Sequence, residues 1–302
     1  MHFCLTAAVL FAAALSSCAT TRIIDRPSEN KDDRVRFLVL HYTDEPFERS
    51  LDLLTRAHAN PVSAHYLIGR AGEYHSRTPP VLRLVDETQR AWHAGPSRWQ
   101  GRDGLNDQSI GIEIVYESHC GRAATEAGSP WIADAQCDYA AYPADQIATV
   151  ETLAHAILAR HSDIDATRVV GHSDIQPENK TDPGPRFPWR ELALHGIGAW
   201  PDDADVARYR DYFAAQPPSW ALLRSALVAY GYGIGDAAQS DTRTRDVLCA
   251  FQSHFLPKQR SGEPDALTAA TVLALLDKYR PAERDTLQQS YSQLPPRRSS
   301  LN

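Results

Sequence analysis

From His172 the chain reads His172-Ser173-Asp174-Ile175-Gln176-Pro177-Glu178-Asn179-Lys180-Thr181-Asp182-Pro183-Gly184-Pro185. An imidazole, an ammonium and a carboxylate share a segment whose prolines remove backbone donors and fix φ, so it is neither regular helix nor central strand. Three reactive groups therefore sit on one stiff loop. Histidine with aspartate suits a catalytic zinc, which takes three protein ligands and keeps a fourth position open. The missing ligand must lie elsewhere. His41 is the best candidate, because Phe37-Leu38-Val39-Leu40 is a short apolar run of buried-strand type and His41 stands where that strand ends. Strand ends are where α/β sheets present functional groups.

Further motifs follow in order: His41-Tyr42-Thr43, Ser63-Ala64-His65-Tyr66, Ala91-Trp92-His93-Ala94-Gly95, Leu105-Asn106-Asp107-Gln108-Ser109-Ile110-Gly111-Ile112-Glu113-Ile114, and then the His172 loop. Together, over about residues 34 to 200, they resemble the zinc N-acetylmuramoyl-L-alanine amidases of the type 2 family, above all the lipoprotein amidases of Gram-negative bacteria. The resemblance implies one zinc held by His41, His172 and Asp182, with Glu113 and Lys180 as catalytic partners. Some relatives carry a cysteine as third ligand and a tyrosine before the histidine of the Ser63 motif. Asp182 and Ala64 stand there instead, which groups this chain with members that use a glutamate as base.

The chemistry also follows without the family. Hydrolysing an unstrained amide needs a nucleophile stronger than neutral water, and zinc lowers the pKa of bound water to about 7. Glu113 would take the proton and pass it to the leaving amine, and Lys180 would stabilise charge on the carbonyl oxygen. His93 and Asn106 are candidate substrate contacts, or else structural hydrogen-bonding groups. His65 reads as a core or supporting residue, and His155 and His161 as helix-surface groups.

At 302 residues and 43% hydrophobic content the chain can bury a full core and hold two domains. A formal charge of −7 argues against general nucleic-acid binding. Phe3 to Leu15 are almost wholly apolar and short for a bilayer, which suits a signal peptide over residues 1–18. Leu15-Ser16-Ser17-Cys18 resembles a lipobox with Cys18 lipidated, although Met1-His2 supplies no Lys or Arg ahead of it. A buried apolar helix is the alternative. With Ala19 after the cysteine, the expectation is an outer-membrane lipoprotein facing the periplasm, with residues 19–33 as a polar tether. In that oxidising compartment Cys120 and Cys137, which bracket a Gly-, Ala- and Ser-rich insertion, are expected to pair, and Cys249 to be buried.

Apolar residues at helical spacing over Ala144 to His161, followed by a strand over Val169-Val170-Gly171, give an alternating pattern. The expected fold is α/β, a mixed β-sheet flanked by helices over residues 34–200 with the metal at one sheet edge. After Pro201 the pattern turns helical: Ser219 can cap one helix that stops at Gly231, Asp241 a second, and a third runs from about Thr268 to Tyr279. Residues 203–280 look like the three-helix peptidoglycan-binding domain that accompanies wall hydrolases. Residues 281–302, rich in Pro, Arg, Ser and Gln, are expected to be disordered.

The expected function is cleavage of the amide between N-acetylmuramic acid and L-alanine in peptidoglycan or muropeptides, by a monomer anchored to the membrane through its lipid. The rivals are a cytoplasmic recycling amidase specific for anhydro-muropeptides and a non-catalytic peptidoglycan-recognition protein.

Overall fold

A computed structural model describes residues 23–118, 129–135, 137–234 and 241–297. Cys18 and Cys120 lie outside the described residues, so neither the lipidation nor the Cys120–Cys137 pairing is addressed by the fold. Among the described residues no helix is long and apolar enough to cross a membrane. The site lies in the compact unit that begins at residue 33.

In chain order, β1 (Phe37–Tyr42) leads to α1 (Phe47–Thr55), then β2 (Tyr66–Ile68), β3 (Val81–Arg83), β4 (Arg98–Trp99), β5 (Arg102–Asp103) and β6 (Ser109–Ile114). Next come α2 (Pro130–Asp134), α3 (Ala144–Arg160), β7 (Val169–Gly171), α4 (His172–Ile175) and α5 (Trp189–Leu194). The main sheet has the order β3-β2-β6-β1-β7, and β4 and β5 form a separate hairpin. Strands β2, β6, β1 and β7 run parallel while β3 is antiparallel, so the sheet is mixed as expected.

Strand alternation sorts side chains onto two faces. Leu38 and Leu40 of β1 and Ile110, Ile112 and Ile114 of β6 pack with Val150, Ala154 and Ile157 of α3 in one core. Phe37, Val39 and Val170 turn the other way, into a second core shared with the C-terminal helices. His41 and Glu113 continue that second face toward the strand ends. The ligand cluster thus stands over the carboxyl ends of β1 and its neighbour β7, the last strand of the sheet, and strand ends are where a parallel ladder collects its functional groups.

The C-terminal part holds α6 (Asp203–Ala215), α7 (Trp220–Tyr230), α8 (Asp241–Phe255), α9 (Ala266–Tyr279) and α10 (Pro281–Ser290). The three expected helices are α7, α8 and α9. The Ser219 hydroxyl accepts from the Leu222 N–H to open α7, which stops at Gly231 with φ 148°. Asp265 caps α9 the same way. Residues 281–290, expected to be disordered, form a helix instead. The reason is local burial: Arg284 is fully enclosed and donates to Tyr209 and the Pro295 carbonyl, while Leu287 and Leu294 are buried beside it. The polar composition of this segment conceals a buried face of only a few residues.

Candidate active site and metal centre

His41 is the penultimate residue of β1, and His172 opens α4 directly after β7, the other neighbour of β1 in the sheet. The His172 turn and Asp182 are tied by backbone, since the Ser173 N–H donates to the Asp182 carbonyl at 2.9 Å. Gly171 permits this closeness, because a Cβ there would stand 2.7 Å from the Pro183 ring.

These ties bring three ligand atoms together. His41 Nδ1 is 3.0 Å from His172 Nδ1, and each lies 3.2 Å from Asp182 Oδ2. All three residues are buried, and they form a group able to hold a metal ion. Zinc ligands at about 2.0–2.1 Å in a tetrahedral shell stand roughly 3.4 Å apart, so the observed edges need only slight expansion to fit. A mixed nitrogen and oxygen donor set suits zinc better than calcium or magnesium, which prefer oxygen.

Electrostatics agree with a ligand role. Burial, with His172 adding, pushes the His41 imidazole down to about 4, so it is a neutral donor at physiological pH. Burial alone would raise the Asp182 carboxyl, yet His172 and His41 outweigh it and hold the group well below the usual carboxylate range.

Donor counting also sets the tautomer of His41. The Leu105 carbonyl can only accept, so the Ser109 hydroxyl donates to it at 2.7 Å. Ser109 Oγ must then accept from His93 Nε2 at 3.2 Å, which leaves His93 Nδ1 bare to accept from His41 Nε2 at 3.0 Å. His41 Nδ1 is left with its lone pair toward His172 and Asp182. Such hydrogen bonds from the far ring nitrogen commonly orient metal-binding histidines. The His93 ring lies flat on Gly111, where a Cβ would be 2.5 Å from it.

Glu113 pairs with His41 in the β1–β6 register, and its Oε2 is buried with no hydrogen-bond partner among the described residues. Burial, with Asp182 adding, raises its carboxyl well above the ordinary value. Lys180 is exposed and joins Glu113, His172 and Asp182 in lining a cleft of about 170 Å³, walled on its apolar side by Val62, Leu53 and Trp92.

The two candidate substrate contacts have internal tasks. His93 lines the cleft but commits both ring nitrogens to His41 and Ser109. Asn106 is buried, and its Oδ1 accepts the His93 and Ala94 N–H groups at 3.0 and 2.7 Å. His65 completes the β2–β6 ladder, its Nδ1 accepting from the Gly111 N–H at 3.0 Å. Sequence reasoning missed Ser109, although it stands in the quoted motif. Only the fold reveals that its hydroxyl meets His93.

With this geometry in hand, comparisons with known proteins are consistent. The family described as N-acetylmuramoyl-L-alanine amidase matches residues 31–185. N-acetylmuramoyl-L-alanine amidase AmiD of Escherichia coli (strain K12) is 40% identical over 251 residues, 82% of this chain and 84% of that protein. The crystal structure of AMPDH3 from Pseudomonas aeruginosa in complex with anhydromuramic pentapeptide shares 41% identity, covering 85% of this chain and 98% of that one at a TM-score of 0.76. The complex of E. coli AmiD with the substrate anhydro-N-acetylmuramic acid-L-Ala-D-gamma-Glu-L-Lys shares 38%, covering 84% and 93% at a TM-score of 0.73. A β1–β6–β7 strand-end cluster, a buried glutamate beside it and a family match that spans both leave one conclusion: the chain belongs to the N-acetylmuramoyl-L-alanine amidase family.

Proposed function

We propose that this chain is a zinc hydrolase that cleaves the amide between N-acetylmuramic acid and L-alanine through His41, His172, Asp182, Glu113 and Lys180. The observation that carries the reading is the convergence of His41 Nδ1, His172 Nδ1 and Asp182 Oδ2 at 3.0–3.2 Å beside the unpartnered Glu113 Oε2. A zinc ion on those three ligands supplies Lewis acidity and an acidified water near neutral pH. Glu113 accepts the proton of the attacking water and returns one to the departing L-alanine nitrogen, a role its raised pKa favours. Lys180 offsets the charge that builds on the carbonyl oxygen. Trp92 and Val62 give the cleft an apolar wall against which a substrate can rest.

Two solved relatives are complexes with anhydromuramic peptides, which supports muropeptides as the substrate class here. A non-catalytic recognition protein would not need the full set of ligands, base and cation that this chain carries. The Leu15-Ser16-Ser17-Cys18 sequence supports lipid anchoring at the outer membrane facing the periplasm, where Cys120 and Cys137 would pair. Residues 203–280 are proposed to bind peptidoglycan.

Metal analysis together with mass spectrometry of products from defined muropeptides tests the reading. One zinc per chain and release of free stem peptide are expected. Stoichiometric zinc with intact muropeptide would favour the recognition protein, and cleavage confined to anhydro forms would favour a recycling specificity.

A further inference from the structure

Asp174, two residues after His172 in α4, joins the metal loop to the C-terminal helices. It is almost completely buried at 1% exposure. Its Oδ1 accepts the Tyr232 hydroxyl at 2.6 Å, while Oδ2 accepts the Gly171 N–H and His254 Nδ1, both at 2.8 Å. Tyr232 follows α7 and His254 lies in the last turn of α8, so two of the three donors come from the helical region. Both are held from behind. Tyr232 packs edge-on against Trp99 at 4.7 Å, and the His254 ring stacks on Trp189 at 3.9 Å.

The element they grip cannot hold itself. Helix α4 has four residues, too few for a self-supporting ladder, and it carries His172 at its start. Its orientation therefore depends on outside partners, and the Ser173–Asp182 backbone bond passes that orientation on to the third ligand. A buried carboxylate that loses one of its donors is left under-compensated and will shift to find another.

We propose that Asp174, Tyr232 and His254 form a clamp through which the helical region positions His172 and Asp182 for metal binding. The helical region is then a working part of the metal site, whatever its contact with the wall. This rests on the reading of His41, His172 and Asp182 as zinc ligands. Tyr232 and His254 act through Asp174 and are positioning residues.

The test uses the full chain with Tyr232→Phe, His254→Leu and His254→Asn, the last offering an amide nitrogen where Nδ1 stands. Tyr209→Phe serves as a control, because it removes a hydroxyl bonded to Asp277 in the same helical region and remote from Asp174. Zinc affinity is read by competition with a chromophoric chelator, and site geometry by the visible absorption of cobalt(II)-substituted protein. Loss of a group bonded directly to a ligand weakens metal binding about 10–100-fold; Tyr232 and His254 act one residue further out, so a loss of about 10-fold, the lower end of that range, is expected of them. That loss and an altered cobalt spectrum are expected for Tyr232→Phe and His254→Leu, with His254→Asn near the parent and Tyr209→Phe changed in melting temperature only. Parent-like affinity and spectrum in both Tyr232→Phe and His254→Leu, with melting lowered as in Tyr209→Phe, would overturn the clamp. A parent protein that takes up no zinc would instead overturn the ligand assignment, and the clamp with it.

Discussion

His41 and Glu113 stand directly opposite each other on the adjacent parallel strands β1 and β6. Parallel neighbours lie about 4.8 Å apart, so a candidate ligand and a candidate base are spaced by the sheet ladder itself. The segment after β7 brings the remaining groups, His172 at the start of α4 and Lys180 and Asp182 on the loop beyond it. The division makes sense physically, because backbone hydrogen bonds hold a strand pair more tightly than any loop can hold its ends.

Substituting Glu113→Gln preserves size and removes the proton acceptor. Zinc content should stay at the parent level while kcat on a defined muropeptide falls about 10²–10⁴-fold, the range for a lost general base. Turnover near the parent value with full zinc would remove Glu113 from the mechanism.

Gly111→Ala should harm the site from behind. The new methyl would stand 2.5 Å from the His93 ring, which is pinned between His41 and Ser109 and cannot retreat freely. Overpacking of this kind costs about 1–3 kcal/mol. A lower melting temperature together with weaker zinc binding is expected. Unchanged zinc affinity in a destabilised variant would show that His93 does not transmit its position to His41.

Glu87 supplies an acid-dependent tie between the β3 end and α3. Burial opposes its charge, but Arg160, Tyr66 and His161 all bond the carboxylate and bring it down to about 2 from an ordinary 4.5. The folded value is depressed, so the group's stabilisation is present in full above about 4.5 and fades as pH falls toward about 2. Glu87→Gln should therefore lower the melting temperature at neutral pH and flatten its decline across that acid window. Parallel melting curves of parent and variant from neutral pH down to pH 2 would refute the tie.

Much of this was legible in the sequence where local patterning decides the outcome. The apolar run before His41, the strand Val169–Gly171, the long amphipathic α3 and the Ser219 cap each follow from spacing and end residues, and each forms. Helix α6 was not legible, because it buries only Tyr209 and Phe213 among polar neighbours. Helix α10 hides in the same way, burying only Arg284 and Leu287. Asp174 was unreadable for a different reason. It meets Tyr232 and His254 from 58 and 80 residues away, and no local pattern announces a hydrogen bond at that range.

Ending the chain at Pro201 should damage the catalytic part as well as any wall contact. Sequence alone allows the helical region to be an independent module whose loss spares small substrates. The packing argues otherwise: Phe37, Val39, Trp99, Val170 and Ile175 share one core with Leu223, Leu227, Tyr232, Leu248 and Phe251. Truncation would expose the sheet face that carries His41, at about 25 cal/mol for each Å² of apolar surface returned to water, and would strip Asp174 of two donors. For a native state normally stable by only about 5–15 kcal/mol, losses of that kind are large. The truncated chain should be poorly soluble, melt well below the parent and bind zinc weakly, with activity on small muropeptides and on intact sacculi falling together. A soluble 1–201 fragment with parent-like zinc affinity, active on small muropeptides and defective only on sacculi, would show that the helices serve the wall alone.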